Sequence, residues 1–244
     1  MIDQLLSELR KMRSTRTNLG LLAGMVSLTL LTVLINGFVL SVGELRGHDN
    51  QHLLLSAGTS GALFASLIGV MATTSEFRHG TIRSTFLVTP DRSRVIAAKV
   101  VASILMGIVF GLVAIGLSFG VGSAILAGRG IDFALHASHV VLLVVGTIFM
   151  TALWAAMGVG IGAVVRNQVF AVIGVIVWAF FVDNLIRALL PGAGRFTPVG
   201  ASESVTAGFA DYLLAPALGA LLLTVYALAF VAAGTVLVAR RDVT

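Results

Sequence analysis

Six stretches of this chain are apolar over the length of a bilayer: about 19–42, 53–75, 98–127, 139–165, 168–190 and 212–239. Crossing about 30 Å of hydrocarbon takes roughly 20 apolar residues. Within the hydrocarbon every backbone polar group must find its partner inside the protein, which favours helices. With 57% hydrophobic and 11% charged residues, no soluble core could hide this much apolar surface. The expected fold class is an all-α integral membrane protein with six transmembrane helices in a single domain over residues 1–244, with the lipid bilayer as a partner and no nucleic acid. The fifth stretch is the weakest, because Asp183 and Arg187 interrupt it. Four residues apart, they share a helix face and can pair near the end of the span.

The first stretch is preceded by about 18 residues, MIDQLLSELRKMRSTRTN, whose charged part is too long for a cleavable signal. Ile2, Leu5, Leu6, Leu9 and Met12 recur at helical spacing, while Arg10, Lys11, Arg13 and Arg16 supply basic character. This pattern predicts an N-terminal interfacial amphipathic helix beside anionic headgroups, a frayed basic tail being the alternative. With the N-terminus inside, twelve Lys/Arg fall on the inner side: Arg10, Lys11, Arg13, Arg16, Arg78, Arg83, Arg92, Arg94, Lys99, Arg166, Arg240 and Arg241. Only Arg46, Arg129, Arg187 and Arg195 fall outside, so both termini are expected in the cytoplasm of a cell membrane. On the outer side, Thr197-Pro198 reads as a cap and first-turn proline, predicting either a short helix from Pro198 to Phe209 or an ordinary loop.

Several function classes lose support at once. The chain has no Cys, which removes disulfides and thiolate chemistry. Neither Lys11 nor Lys99 follows a glycine, so no phosphate-binding loop is present and the chain is not expected to be an enzyme. Ion-coupled carriers place ionisable groups near the bilayer midplane; here the most polar deep residue is Asn36. His48 and His52 are four apart but have no evident third partner, so they read as solvated loop residues and no metal site is expected.

The chain thus shows no engine of its own, and attention falls on the charged segment 76–99, which holds Arg78, Arg83, Arg92, Arg94 and Lys99 between two apolar stretches. Ser75 before Glu76 reads as a helix N-cap with an acid in the first turn. Phe77, Thr81 and Ile82, continued by Phe86 and Leu87, would form an apolar face, Gly80 would allow close approach, and Pro90 would end the helix. Such a helix suits docking into a groove on a soluble partner. A basic loop that only fixes topology is the alternative.

The stretch SEFRHGTIRSTFLVTPDRSRVIAAK closely resembles the signature of type-2 ABC exporter permeases, with Glu76, Arg78, Gly80, Thr81, Pro90, Arg92 and Lys99 at the matching positions. SELRKMRSTRTNLGLL resembles that family's N-terminal connecting helix, and GAVVRNQVFA its turn between spans four and five, Arg166-Asn167-Gln168. The resemblance implies a permease domain with a cytoplasmic coupling helix between spans two and three, at about 76–87, inserted into a separate ABC ATPase subunit. Docking would then involve Glu76, Phe77, Arg78, His79, Gly80, Thr81, Ile82, Arg83, Phe86, Pro90 and Arg92. It also implies a second permease copy, identical or not, and two ATPases that bind the ATP and Mg, so this chain carries no cofactor. The expected path for a lipid, drug or antimicrobial peptide runs along the faces of 25–38, 57–71 and 170–182, with Asn36, Phe38, Phe64, Phe170 and Trp178 as candidates. Gly107, Gly111, Gly116, Gly120, Gly158, Gly160 and Gly162 are expected to allow tight packing within the subunit, or at a dimer interface. The rivals are a non-transporting membrane anchor and a secondary carrier or channel.

Overall fold

The computed structural model describes residues 2–82, 87, 91–207 and 212–240, and every regular element among them is helical. Six helices there are long and apolar enough to cross a membrane: Arg16–Val39, His48–Arg78, Arg92–Gly128, Ala137–Val165, Gln168–Leu189 and Pro216–Arg240, taken below as spans 1 to 6. The chain is a multi-pass membrane protein. Span 2 starts several residues before the apolar stretch, because the polar helix His48–Leu55 continues through a 3-10 turn, Ser56–Ser60, into Gly61–Arg78. Span 5 is broken by a π-helical turn, Trp178–Val182, before Asp183–Leu189.

Span 4 is the hub. Helices in lipid gain little from the hydrophobic effect and associate through close packing, which small residues permit. A Cβ on Gly158 would run into the Ser66 carbonyl, and one on Gly69 into the Ala155 carbonyl, so spans 2 and 4 touch backbone to backbone. Gly107 and Gly111 bring span 3 against Thr151 and Ile148 of span 4, and Gly160 admits the Phe230 backbone of span 6. These glycines serve packing within the chain. Gly116 and Gly120 do not: a Cβ there meets nothing within 4 Å among the described residues.

The short helix Pro198–Ala207 is present, with Thr197 Oγ1 accepting from the Gly200 amide at 3.0 Å as its cap. It is buried against span 4, where Trp154 Nε1 donates to Ser202 Oγ at 2.8 Å, and against span 6, where Gly219 meets the Ala201 carbonyl. Phe209, the expected end of that helix, lies outside the described residues. At the bundle's other end, helix Ile2–Ser14 precedes span 1. Its packed stripe is Leu5, Glu8, Leu9 and Met12 rather than the all-apolar set read from the sequence, and Leu6 remains exposed. Leu5, Leu9 and Met12 join Met25, Ile68 and Ala102 in one apolar cluster. The face that helix Ile2–Ser14 shares with residues 76–82, 91–99 and 166–168 is called the basic face; the opposite end, with His48 and Arg187, is the distal face.

Candidate functional site

The basic face is organised by four charges that alternate in sign. Lys99 has no exposed side-chain surface; its Nζ donates to Glu8 Oε2 at 2.9 Å and to the Ala72 carbonyl at 3.0 Å, and lies 2.8 Å from Glu76 Oε1. Lys11, about half exposed, reaches Glu8 Oε1 at 2.7 Å and Glu76 Oε1 at 2.9 Å. One knot therefore ties the N-terminal helix to spans 2 and 3. A lysine without solvent is tolerable only when paired and hydrogen-bonded, which Glu8, Glu76 and Ala72 achieve together. Desolvation pulls the Lys11 ammonium down, but the hydrogen bonds and charges of Glu8 and Glu76 outweigh it and hold its pKa above the ordinary lysine value. Glu76 Oε2 is buried and finds no hydrogen-bond partner among the described residues.

This corrects the reading of Ser75 and Glu76 as a helix start. Span 2 runs unbroken through both to Arg78, and Ser75 Oγ donates back to the Met71 carbonyl at 2.6 Å, as hydroxyl residues do inside helices. Glu76 thus sits in a helix's last turn, held there by lysines rather than by the helix dipole. His79 caps the helix and Gly80 follows at φ +69°, the left-handed position that glycine favours after a helix. Phe77 therefore does not share one continuous helical face with Thr81 and Ile82. Among the described residues nothing lies within 4 Å of a Cβ on Gly80, so the property they show for it is backbone conformation. Arg83, Phe86 and Pro90 of the expected docking helix lie outside the described residues.

Around the knot the structure gathers most of the other candidates. Arg78 is exposed, and its Nη1 donates to Gln168 Oε1 at 3.2 Å, joining the ends of spans 2 and 5. Arg166 adopts φ 57°, which turns the chain between spans 4 and 5; its guanidinium lies 5.2 Å from the centre of the Phe77 ring and donates to the Leu237 carbonyl at 3.0 Å. Asn167 then caps span 5, accepting from the amides of Val169 and Phe170 at 3.0 and 3.2 Å. Asp91 caps span 3 through the Arg94 amide at 3.1 Å; hydrogen bonds from Ser93 and that amide hold its carboxyl below its ordinary value. Arg92 donates to the Val238 carbonyl at 3.0 Å, fastening span 3 to span 6. A cleft of about 640 Å³ opens on this face, lined among others by Lys11, Asn18, Ser75, Arg78, Thr81 and Gln168.

The path candidates are not brought together. Trp178 lines an apolar cavity of about 500 Å³ with Trp154, Met157, Phe196, Tyr226 and Phe230, between spans 4, 5 and 6. Phe38 borders a separate hollow beside Ile125 and Arg129. Phe64 packs beside Gly24, Phe170 is exposed, and Asn36 is half-buried on span 1. Much of 57–71 is enclosed by the chain itself, because span 2 packs on span 4.

On the distal face the expected pair forms, with Arg187 Nε donating to Asp183 Oδ2 at 2.6 Å, and Arg187 Nη1 also meets Glu203 Oε2 at 2.5 Å. Sequence reasoning missed Glu203, as it missed Glu8 and the joint role of Lys11 and Lys99. Glu8 alone carried a signal: an acid four residues before Met12, on the stripe formed by Leu5, Leu9 and Met12. Comparison with known protein families and with characterised proteins yields no match to this chain.

Proposed function

We propose that this chain is the membrane permease subunit of an ATP-driven ABC exporter, working with a separate ATPase subunit. The observation that carries the reading is the convergence of the signature-like residues on one face. Glu76 and Lys99 stand in the same buried knot, Arg78 and Gln168 meet above it, and Arg92 and Arg166 fasten the neighbouring spans. A polar platform fixed to several spans is what a coupling surface requires, because force applied to it passes into the bundle rather than into a loose loop. Within this reading the basic face lies in the cytoplasm at a plasma membrane, as the Lys/Arg distribution favours. The interfacial helix leads from that face into span 1, and residues near 76–87 dock on the ATPase. Two ATPases bind ATP and Mg, and a second permease copy completes the complex. The apolar cavity beside Trp178, walled by aromatic side chains and by spans 4 to 6, suits a hydrophobic or amphipathic substrate such as a lipid, drug or antimicrobial peptide.

Docking falls to the exposed groups, Arg78 with His79 and Thr81, while the buried Glu76 holds the platform in shape. Arg78→Ala is therefore expected to insert and fold normally yet to lose copurification of the cognate ATPase, since charge-assisted hydrogen bonds across an interface are among its stronger contacts. Glu76→Ala should instead lower the stability of the chain itself. Unchanged ATPase copurification with Arg78→Ala would overturn the docking role. A chain that recovers no nucleotide-hydrolysing partner from its native membrane would favour a non-transporting anchor.

A further inference from the structure

Three histidines from two separate segments meet on the distal face. His48 opens the helix at the start of span 2, and His136 and His139 stand at the cap and first turn of span 4. Their ligand atoms all lie within 4.8 Å of one another, and His48 Nε2 is 2.6 Å from His139 Nδ1. The ring centres of His136 and His139 are 5.6 Å apart. His136 is the extended cap residue and His139 lies in the first turn of the same helix, so the helix start presents both rings to His48.

The two segments are locked together by a group that is not part of the cluster. Gln51 is fully buried; its Nε2 donates to the carbonyls of Leu45 and Asp132 at 3.0 and 2.8 Å, and its Oε1 accepts from the Ala134 amide at 2.8 Å. Leu135, between Ala134 and His136, packs with Leu55, Ile115 and Leu143 in one apolar cluster. The backbone that carries the three imidazoles is thus set before any ligand arrives. On the far side of the His48 ring, Asp49 Oδ1 lies 3.6 Å from Nδ1 while Nε2 faces the cluster. At 3.6 Å this is not a hydrogen bond, but a small rotation of the exposed Asp49 side chain would let it accept the outer N–H of His48, the partnership that orients metal-binding histidines.

We propose that His48, His136 and His139 form a site for a borderline divalent transition ion, with zinc the best fit. Three imidazoles and no thiolate suit Zn²⁺, Cu²⁺ or Ni²⁺, and exclude Ca²⁺ or Mg²⁺, which take oxygen ligands. Zinc–nitrogen bonds of about 2.0–2.1 Å in a tetrahedral site hold neighbouring nitrogens roughly 3.3 Å apart. Reaching that requires the exposed His136 ring to swing inward and the close His48–His139 pair to separate by less than an ångström, both side-chain movements. The fourth position is open to water. The bound ion joins the start of span 2 to the start of span 4. This inference does not depend on the exporter reading.

The test is zinc titration of the full-length chain in detergent, purified without a histidine tag and followed by calorimetry, with cobalt absorption as a second readout. One Zn²⁺ per chain is expected. His136→Gln, whose exposed side chain leaves the fold intact, should weaken binding beyond the roughly 10–100-fold that loss of an outer partner costs, and Asp49→Asn should fall within that range. His52→Gln, whose ring lies 3.3 Å from the Thr206 carbonyl, should bind as wild type does. Wild-type affinity in the His136→Gln/His139→Gln double variant, or no zinc uptake by the wild-type chain, would overturn the site. So would a loss of binding in His52→Gln alone.

Discussion

At the basic face Lys99, wholly enclosed, is held between Glu8 and Glu76, whereas at the distal face Arg187, about a quarter exposed, is held between Asp183 and Glu203. Both are a cation between two carboxylates, yet they differ in what they join. Glu8, Glu76 and Lys99 come from the N-terminal helix and spans 2 and 3, so that cluster fixes tertiary structure. Asp183 and Arg187 are one turn apart on span 5, and Glu203 follows on the adjoining short helix, so this cluster stiffens a local corner. The difference is one of reach: the cluster that ties three separate elements together stands where mechanical coupling is proposed.

Removing each cation in turn separates the two clusters. Lys99→Met leaves two buried carboxylates sharing only Lys11, and should cost about 3–5 kcal/mol, read as lost stability in a denaturation series in detergent. Arg187→Met strands Asp183, whose side chain is buried, while the partly exposed Glu203 turns to solvent, and about 1–3 kcal/mol is expected. Equal losses would mean that the two clusters do the same work. The distal cluster has a second signature. Exchanging Asp183 and Arg187 places the new acid against Glu203, so stability should return only when Glu203→Gln is added. Full recovery from the exchange alone would show that Glu203 takes no part. Lys11→Ala should cost no more than about 1 kcal/mol, because half of that side chain is screened by solvent.

The smallest effect concerns pH. Lys11 titrates above its unfolded value, so its contribution to stability is complete below the unfolded pKa and is lost only as pH rises through the folded one. With an unfolded value near 10.4, stability attributable to Lys11 should be flat between about pH 7 and 9, and Lys11→Ala should not alter the slope there. A slope difference between wild type and Lys11→Ala inside that window would contradict the paired geometry.

How much of this was legible in the chain follows from the range of each interaction. The six spans read directly from hydropathy, because hydrocarbon imposes a length on every helix, and the Asp183–Arg187 pair read from a four-residue spacing. The cap at Thr197 was also local, while the turn at Arg166–Asn167 came from the family resemblance, and the structure has both. Ser75-Glu76 misled for a physical reason: the same dipeptide that opens a helix also sits inside one when the serine hydroxyl bonds four residues back. The basic knot was invisible because Glu8 and Lys99 lie 91 residues apart and meet only through packing of the N-terminal helix on span 3. The three-histidine cluster was hidden likewise, since His48 was weighed against its neighbour His52 rather than against His139, 91 residues on.

The chain contains no cysteine, which makes a single introduced thiol unambiguous. A Thr81→Cys variant puts one on the exposed turn after span 2 at the basic face, and a Tyr212→Cys variant puts one at an exposed distal position. Both would be treated with a short thiol-to-amine crosslinker in native membranes, and the adducts identified by mass spectrometry. The proposal predicts that the Thr81→Cys thiol joins to a P-loop ATPase and that the Tyr212→Cys thiol does not. An ATPase adduct from the distal position, or none from the basic one, would contradict the assignment of the basic face as the coupling surface.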